Sequence, residues 1–150
     1  MERHNGLRKL GDDQSDHFAA AQLYRSALGF VPESVVALND LGWALYELDE
    51  IQEAFAYFSL SRSVRETSSG LAGFAKTGWM IDEITFDETD LAFEKATLIY
   101  PEYTWARLER GWLHFYDGDR KTAQRHFLAA FDGDPEAASP HYALWYFDYS

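Results

Sequence analysis

Histidine is the side chain best suited to proton transfer or metal binding at neutral pH, and this sequence contains five of them. They are His4, His17, His114, His126 and His141. No two of them form an H-E-x-x-H pair, and none lies three or four residues from another, the spacing that puts two ligands on one face of a helix. The histidines therefore predict core or half-buried side chains, and we expect neither a metal site nor a general base.

A run of carboxylates between residues 82 and 94 is the next candidate, because clustered carboxylates are what calcium and magnesium require. Its members are Asp82, Glu83, Asp87, Glu88, Asp90 and Glu94. The run lacks the D-x-D-x-D-G loop and the closing glutamate of a calcium site. We interpret it as a solvated turn in which Asp87 or Asp90 caps a helix.

The glycines at Gly73 and Gly78 have the spacing that opens a phosphate-binding loop. Trp79 and Met80 follow, however, where a lysine and a serine or threonine would have to reach phosphate and magnesium. No nucleophile with an adjacent base stands out elsewhere in the sequence. The sequence thus predicts a protein that is not an enzyme and that uses no cofactor.

Composition indicates one folded domain, since the 150 residues are 47% apolar and 17% aromatic. There is no cysteine, which excludes disulfides and thiolate metal sites. A net charge of −12 repels nucleic acid and anionic membranes, and it favours basic or neutral partners. The first residues are charged where a secretory leader would be apolar, and no apolar run approaches the roughly 18 residues of a membrane span. We therefore expect a soluble, cytoplasmic protein.

Helical spacing of apolar residues and a recurring order of small, aromatic, small and proline residues organise the chain. The order recurs after 34, 35 and 34 residues (54 − 20, 89 − 54 and 123 − 89). The four copies are Ala20, Tyr24, Ala27, Pro32; Ala54, Phe58, Ser61, Glu66; Thr89, Phe93, Ala96, Pro101; and Ala123, Phe127, Ala130, Pro135, with Glu66 the one clear departure.

A glycine–tryptophan pair precedes each of the last three of these helices, at Gly42-Trp43, Gly78-Trp79 and Gly111-Trp112. Each unit is therefore predicted to contain two helices joined by a tight turn. The glycine, which has no side chain, would let the second helix pack closely against the first.

This pattern resembles the tetratricopeptide repeat, whose signature of about 34 residues carries Trp, Leu-Gly, Tyr, Ala, Phe and Pro. The matching residues are Leu38, Leu41, Gly42, Leu45, Ala54 and Phe58 in the second unit, and Gly111, Gly118, Asp119, Ala123, Phe127, Ala130 and Pro135 in the fourth. The resemblance implies an all-α fold, a right-handed α-solenoid of antiparallel helix pairs, as a single domain over residues 1–150. Its units are expected at about 1–34, with a degenerate first helix, 35–68, 69–103 and 104–137, followed by a capping helix at about 138–150.

Two interruptions of the repeat pattern, and the last residues of the sequence, lead to further predictions. We expect a longer loop near residues 67–71 and a distorted turn before Thr89. The capping helix is rich in aromatic residues, so it is a candidate surface for forming a homodimer.

In tetratricopeptide proteins the first helix of each pair lines a concave face on which extended peptides bind. The resemblance places on that face Asn39, Trp43, Tyr46, Glu47, Trp79, Asp82, Glu83, Leu108, Trp112, Phe115, Tyr116, Tyr142 and Tyr146. Aromatic faces edged by carboxylates suit a basic or aromatic peptide, through cation–π and ion-pair contacts. The alternative is that the tryptophans are buried between neighbouring repeats.

The sequence therefore favours a non-enzymatic protein–protein interaction module, an adaptor or a chaperone, that holds an extended basic or aromatic peptide in this groove. Two other readings stay open: a self-associating structural protein, and a scaffold that binds a cationic carbohydrate. Neither nucleic acid nor a membrane is expected as a partner.

Overall fold

A computed structural model describes residues 6–138, with side chains from residue 14 onward. This part of the chain is all-α, as predicted, with no β-strand among the described residues. Its helices are α1 (Gly6–Phe30), α2 (Val35–Glu47), α3 (Ile51–Val64), α4 (Ser68–Met80), α5 (Phe86–Ile99), α6 (Thr104–Tyr116) and α7 (Arg120–Gly133). Residues 135–138 are also helical. The predicted capping-helix residues Tyr142 and Tyr146 lie outside the described residues.

Short connections fold the helices back on one another. Residues 48–50 join α2 to α3, residues 81–85 join α4 to α5, and residues 117–119 join α6 to α7. Each helix packs mainly against the helices before and after it in the chain, which is the arrangement of a solenoid. None of the helices in the described part is long and apolar enough to cross a bilayer.

The first unit differs from the others because residues 6–30 form one continuous helix, α1, in place of a degenerate helix and a turn. Ala21 of α1 is fully buried in the same core cluster as Leu41 and Ala44 of α2. The first unit therefore contributes one long helix to the array.

Hydrophilic caps define where most of the helices start. Ser34 caps α2, and Thr67 caps α4 by accepting a hydrogen bond from Gly70 N at 3.1 Å. The longer loop expected near residues 67–71 is wrong, because α4 begins at Ser68. Thr85 caps α5 in a reciprocal pair with Glu88, so the prediction of an aspartate cap there is also wrong.

Close packing of glycine against phenylalanine holds the pairs together. The Phe58 ring on α3 is fully buried between α2 and α4. A Cβ added at Gly42 would lie 2.7 Å from Phe58 Cε1, and one added at Gly73 would lie 2.3 Å from the same atom. Gly111 has the same relation to Phe127, at 2.6 Å. Larger residues at these glycines would push the helices apart.

Gly78 does not occupy the position predicted for it. The helices α2, α4 and α6 start at residues 35, 68 and 104, so Ala75 (68 + 7) corresponds to Gly42 (35 + 7) and Gly111 (104 + 7). A Cβ at Gly78 would instead meet Ile84 and Phe55, each at 2.8 Å. The distorted turn explains the shift, because the 81–85 connection is two residues longer than the 48–50 connection.

Candidate functional site

The first helices of the three pairs share a face. Counting from their starts places Trp43, Lys76 and Trp112 at one level, and Tyr46, Trp79 and Phe115 at the level one turn further on. On α4, Lys76 therefore occupies the first level, where Trp79 was predicted, and Trp79 lies at the second level.

This face is concave. Helix α4 lies between α2 and α6 in the array, yet Trp43 of α2 contacts Trp105 of α6, with ring centroids 5.5 Å apart. Trp43 Nε1 also donates a hydrogen bond of 2.9 Å to Ser69 Oγ on α4. Side chains of the outer two helices can meet above the middle one only if the face curves inward.

A cavity of about 520 Å³ opens on this concave side. It is lined by His17, Ala20 and Tyr24 from α1, by Asp40, Trp43, Ala44, Tyr46 and Glu47 from α2, and by Tyr103 and Trp105 at the start of α6. Its volume falls in the range of small-molecule pockets, and aromatic side chains with a few polar groups are the usual lining of such sites.

The aromatic walls of the cavity hold one another in place. Trp43 and Trp105 meet edge to face at 85°, and Trp43 meets Tyr46 in the same way, with centroids 5.4 Å apart at 82°. Tyr103 lies nearly parallel to Trp105, with centroids 6.0 Å apart. Burial raises the pKa of the Tyr103 and Tyr46 hydroxyls, so both side chains are neutral at physiological pH.

Two carboxylates give the cavity its charge. Glu47 Oε1 lies 4.0 Å from His17 Nε2. Asp40 has no hydrogen-bond or ion-pair partner among the described residues, and burial raises the pKa of its carboxyl group. Among the described residues no lysine or arginine lines the cavity, so this described lining is negatively charged at neutral pH.

A smaller cavity of about 130 Å³ lies further along the groove, between α4 and α6. Lys76 Nζ is 2.7 Å from Glu109 Oε1 there, so these two charges neutralise each other. Trp79 is 42% exposed and Tyr116 is 77% exposed. The Tyr116 ring stacks on Trp112 with centroids 5.8 Å apart, which leaves a broad aromatic surface at this end of the groove.

Several residues predicted for the groove lie elsewhere. Asn39 and Leu108 are buried, at 5% and 6% exposure, and Asn39 Nδ2 donates to Thr67 Oγ1 at 3.1 Å. These two residues stabilise helix packing, so their assignment to the exposed groove is wrong. Asp82 and Glu83 are exposed, but they lie in the connection after α4. The left-handed φ of 60° at Asp82 is typical of a turn residue and not of a residue within a helix.

The structure adds residues that the sequence interpretation missed. Trp105 precedes Trp112 by seven residues, or two helical turns, so the same helical spacing would have placed it on the groove face. Asp40 precedes Trp43 by three residues and could have been found in the same way. Tyr103 precedes α6, and no periodicity could have indicated its position.

The remaining titratable cluster joins α5, α6 and α7. Arg110 Nε donates to Asp90 Oδ1 at 2.6 Å, and His114 Nε2 lies 2.8 Å from the same oxygen. Although burial opposes the change, hydrogen bonds from Arg110 and His114 lower the pKa of Asp90. The His126 ring lies 5.3 Å from that of His114, and burial together with the charges of Arg110 and His114 lowers the pKa of His126 to about 4. The contacts of this cluster link α5, α6 and α7.

Among the side chains of residues 14–138, no three histidine, aspartate or glutamate residues converge closely enough to hold a metal ion.

Solved structures of tetratricopeptide-repeat proteins share this architecture. MamA superposes with a TM-score of 0.71 at 16% identity, over 88% of this chain and 77% of MamA. YrrB, a TPR protein with an unusual peptide-binding site, superposes with a TM-score of 0.66 at 15% identity, over 89% of this chain and 70% of YrrB. A tetratricopeptide repeat protein from Parabacteroides merdae superposes at 0.65 and 18% identity, over 86% of this chain and 52% of its own.

No protein-family profile matches the sequence, and no curated protein matches it significantly. At identities of 15% to 18% the structural likeness concerns the fold alone. The predicted tetratricopeptide-type α-solenoid is confirmed.

Proposed function

We propose that this protein is a non-catalytic interaction module that holds an extended segment of a partner protein along its concave face. The observation that carries the proposal is the cavity of about 520 Å³ on that face, walled by Trp43 and Trp105 and edged by Asp40 and Glu47. Tryptophan and tyrosine are frequent hot spots in protein recognition, because their rigid rings bury a large area at a small cost in entropy.

The chemistry of the groove favours a basic segment that also carries an aromatic or apolar residue. The negative charge of the large cavity attracts a cation, and the net charge of −12 steers basic partners toward the protein as a whole. At the other end, the exposed rings of Trp79 and Tyr116 suit an apolar or aromatic side chain. A segment spanning both ends would be extended.

YrrB, which shares the fold, is a TPR protein with an unusual peptide-binding site, and this supports a peptide as the proposed ligand. An adaptor and a chaperone would both bind in this way. A homodimer would compete with the peptide only if the second copy covered the groove.

Selection from a displayed library of random nine-residue peptides on the immobilised protein tests the proposal. Affinities of the selected peptides are then measured by fluorescence anisotropy for the parent, for Trp79→Ala, and for Leu98→Ala. Leu98 is 73% exposed on α5, away from the groove, and is the matched control.

We expect basic, aromatic-containing sequences to be enriched, and we expect Trp79→Ala to weaken binding by about tenfold, as for a moderate hot spot. The Leu98→Ala variant should bind like the parent. Failure to enrich any sequence, or equal binding by the Trp79→Ala variant, would contradict the proposal. Inhibition of peptide binding by glucosamine oligomers would instead favour the carbohydrate reading.

A further inference from the structure

The large cavity contains an acidic side chain that nothing in the described part of the chain neutralises. Asp40 lines the cavity without a hydrogen-bond or ion-pair partner among the described residues. Two cations of the described residues, Lys76 and Arg25, are already paired, with Glu109 at 2.7 Å and with Glu53 at 2.8 Å. Burial of a carboxylate is more favourable when a cation lies beside it, so a ligand that carries a positive charge would suit this position.

The walls around Asp40 suit a cation of a particular shape. Trp43 and Trp105 both line the cavity, and their planes are 85° apart. A cation that enters the corner between two perpendicular rings meets the electron-rich face of at least one of them, and tryptophan is the strongest cation–π partner among the side chains. Tyr46 and Tyr24 extend the aromatic lining.

We propose that this cavity receives one arginine side chain of the bound peptide, with Asp40 as its counter-ion and the ring of Trp43 or Trp105 as its stacking surface. The inference rests on the proposed peptide-binding function. It adds the identity of the residue that anchors the peptide.

Arginine fits better than lysine for two reasons. Its planar guanidinium stacks on aromatic faces and can donate two parallel hydrogen bonds to one carboxylate, whereas an ammonium is a compact point charge. It is also more weakly hydrated, so entering a half-buried aromatic cavity costs it less. A cavity of about 520 Å³ has ample room for such a side chain.

The test uses small probes, so it does not depend on a peptide ligand. Nα-acetyl-arginine methylamide, its neutral citrulline isostere and the corresponding lysine compound are titrated into ¹⁵N-labelled protein while the indole N–H resonances of Trp43 and Trp105 are followed. The arginine compound should bind about tenfold more tightly than either of the other two.

Asp40→Asn should reduce that preference over citrulline to about twofold or less, since it removes the counter-ion without breaking any hydrogen bond of the described structure. Asp132→Asn removes the same charge from an exposed position on α7 and should leave the preference unchanged. Equal binding of arginine and citrulline, equal binding of lysine, or an unchanged preference in Asp40→Asn would each overturn the assignment.

Failure of this inference is distinguishable from failure of the proposed function. If selected peptides bind but replacing each of their arginines by citrulline leaves the affinity unchanged, the arginine site is wrong and peptide binding stands. If the arginine compound binds as described but no peptide is ever selected, the guanidinium site stands and the proposed function fails.

Discussion

The Phe58 ring provides a sharp test of how the helices are held together, through the substitution Gly73→Ala. The new Cβ would lie 2.3 Å from Phe58 Cε1, which is 1.1 Å closer than an ordinary contact of 3.4 Å (3.4 − 2.3). The ring cannot retreat, because it is fully buried and a Cβ at Gly42 would lie only 2.7 Å from the same atom on the other side.

Two effects of opposite sign decide the outcome. Replacing glycine by alanine inside a helix stabilises it by about 0.5–1 kcal/mol, whereas overpacking a core costs about 1–3 kcal/mol. An overlap of 1.1 Å on a ring confined on both sides puts the cost near the upper end. We therefore expect Gly73→Ala to lower the free energy of unfolding by about 2 kcal/mol.

Urea denaturation followed by circular dichroism measures this change, and Gly29→Ala is the matched control. Nothing lies within 4 Å of a Cβ at Gly29, which is also helical, so that variant should be at least as stable as the parent. In a Phe58→Leu background the cost of Gly73→Ala should fall below about 0.5 kcal/mol. An undiminished cost in that background, or a fully stable Gly73→Ala variant, would refute the packing argument.

Three further predictions concern charge and capping. At pH 7, the free energy of unfolding of Asp40→Asn in a urea melt should equal the parent's or exceed it by less than about 1 kcal/mol, after allowing for solvent screening. Burial raises the pKa of Asp40, so its stabilising contribution is complete below its ordinary pKa and is lost as the pH rises. A clear loss of stability in Asp40→Asn would mean that the carboxylate has a partner in the fold. His126 has a pKa of 6.5 when unfolded and about 4 in the fold, so between these pH values the unfolded chain binds more protons than the folded one. The free energy of unfolding should therefore fall by about 1–2 kcal/mol from pH 7 to pH 4.5, after allowing for solvent screening. Parallel pH profiles of stability for His126→Gln and the parent would contradict this. Thr85→Ala should lower the free energy of unfolding measured by urea denaturation by about 1 kcal/mol, because it removes the cap of α5, whereas Thr85→Ser should retain most of that stability.

The repeat architecture could be predicted because close packing requires particular residue types at fixed intervals along the chain. Phe58 and Phe127 need a glycine opposite them, and Ala54 and Ala123 need to be small, so the same residues return at almost the same spacing. These requirements are local to one helix pair, which is why a single sequence reveals them.

The register of α4 relative to α5 could not be predicted, because it depends on the length of the connection between these two helices. The 81–85 turn is two residues longer than its counterpart, and this moves α4 relative to α5 while every apolar residue stays in a plausible place. Gly78 then looks like a repeat of Gly42, although it packs against Ile84 and Phe55. The start of α4 at Ser68 and the contacts of Gly78 distinguish the two arrangements.

The large cavity could not be predicted from the sequence, for a different reason. Asp40 is one of 25 acidic residues, and nothing in its immediate sequence marks it as unpaired. Its role depends on the approach of Trp105, which lies 65 residues away (105 − 40) and reaches α2 only because the helices curve around α4.

The indole resonances of the tryptophans on the concave face test the proposed peptide binding most directly. Trp43, Trp79 and Trp105 lie along this face, and each contributes one indole N–H signal to a ¹⁵N spectrum. Titration with a peptide selected from the library should shift these three signals and the backbone amides of α2, α4 and α6, while leaving α3 and α5 unperturbed. Shifts confined to α3, α5 and α7, with the three indole signals unchanged, would contradict the account.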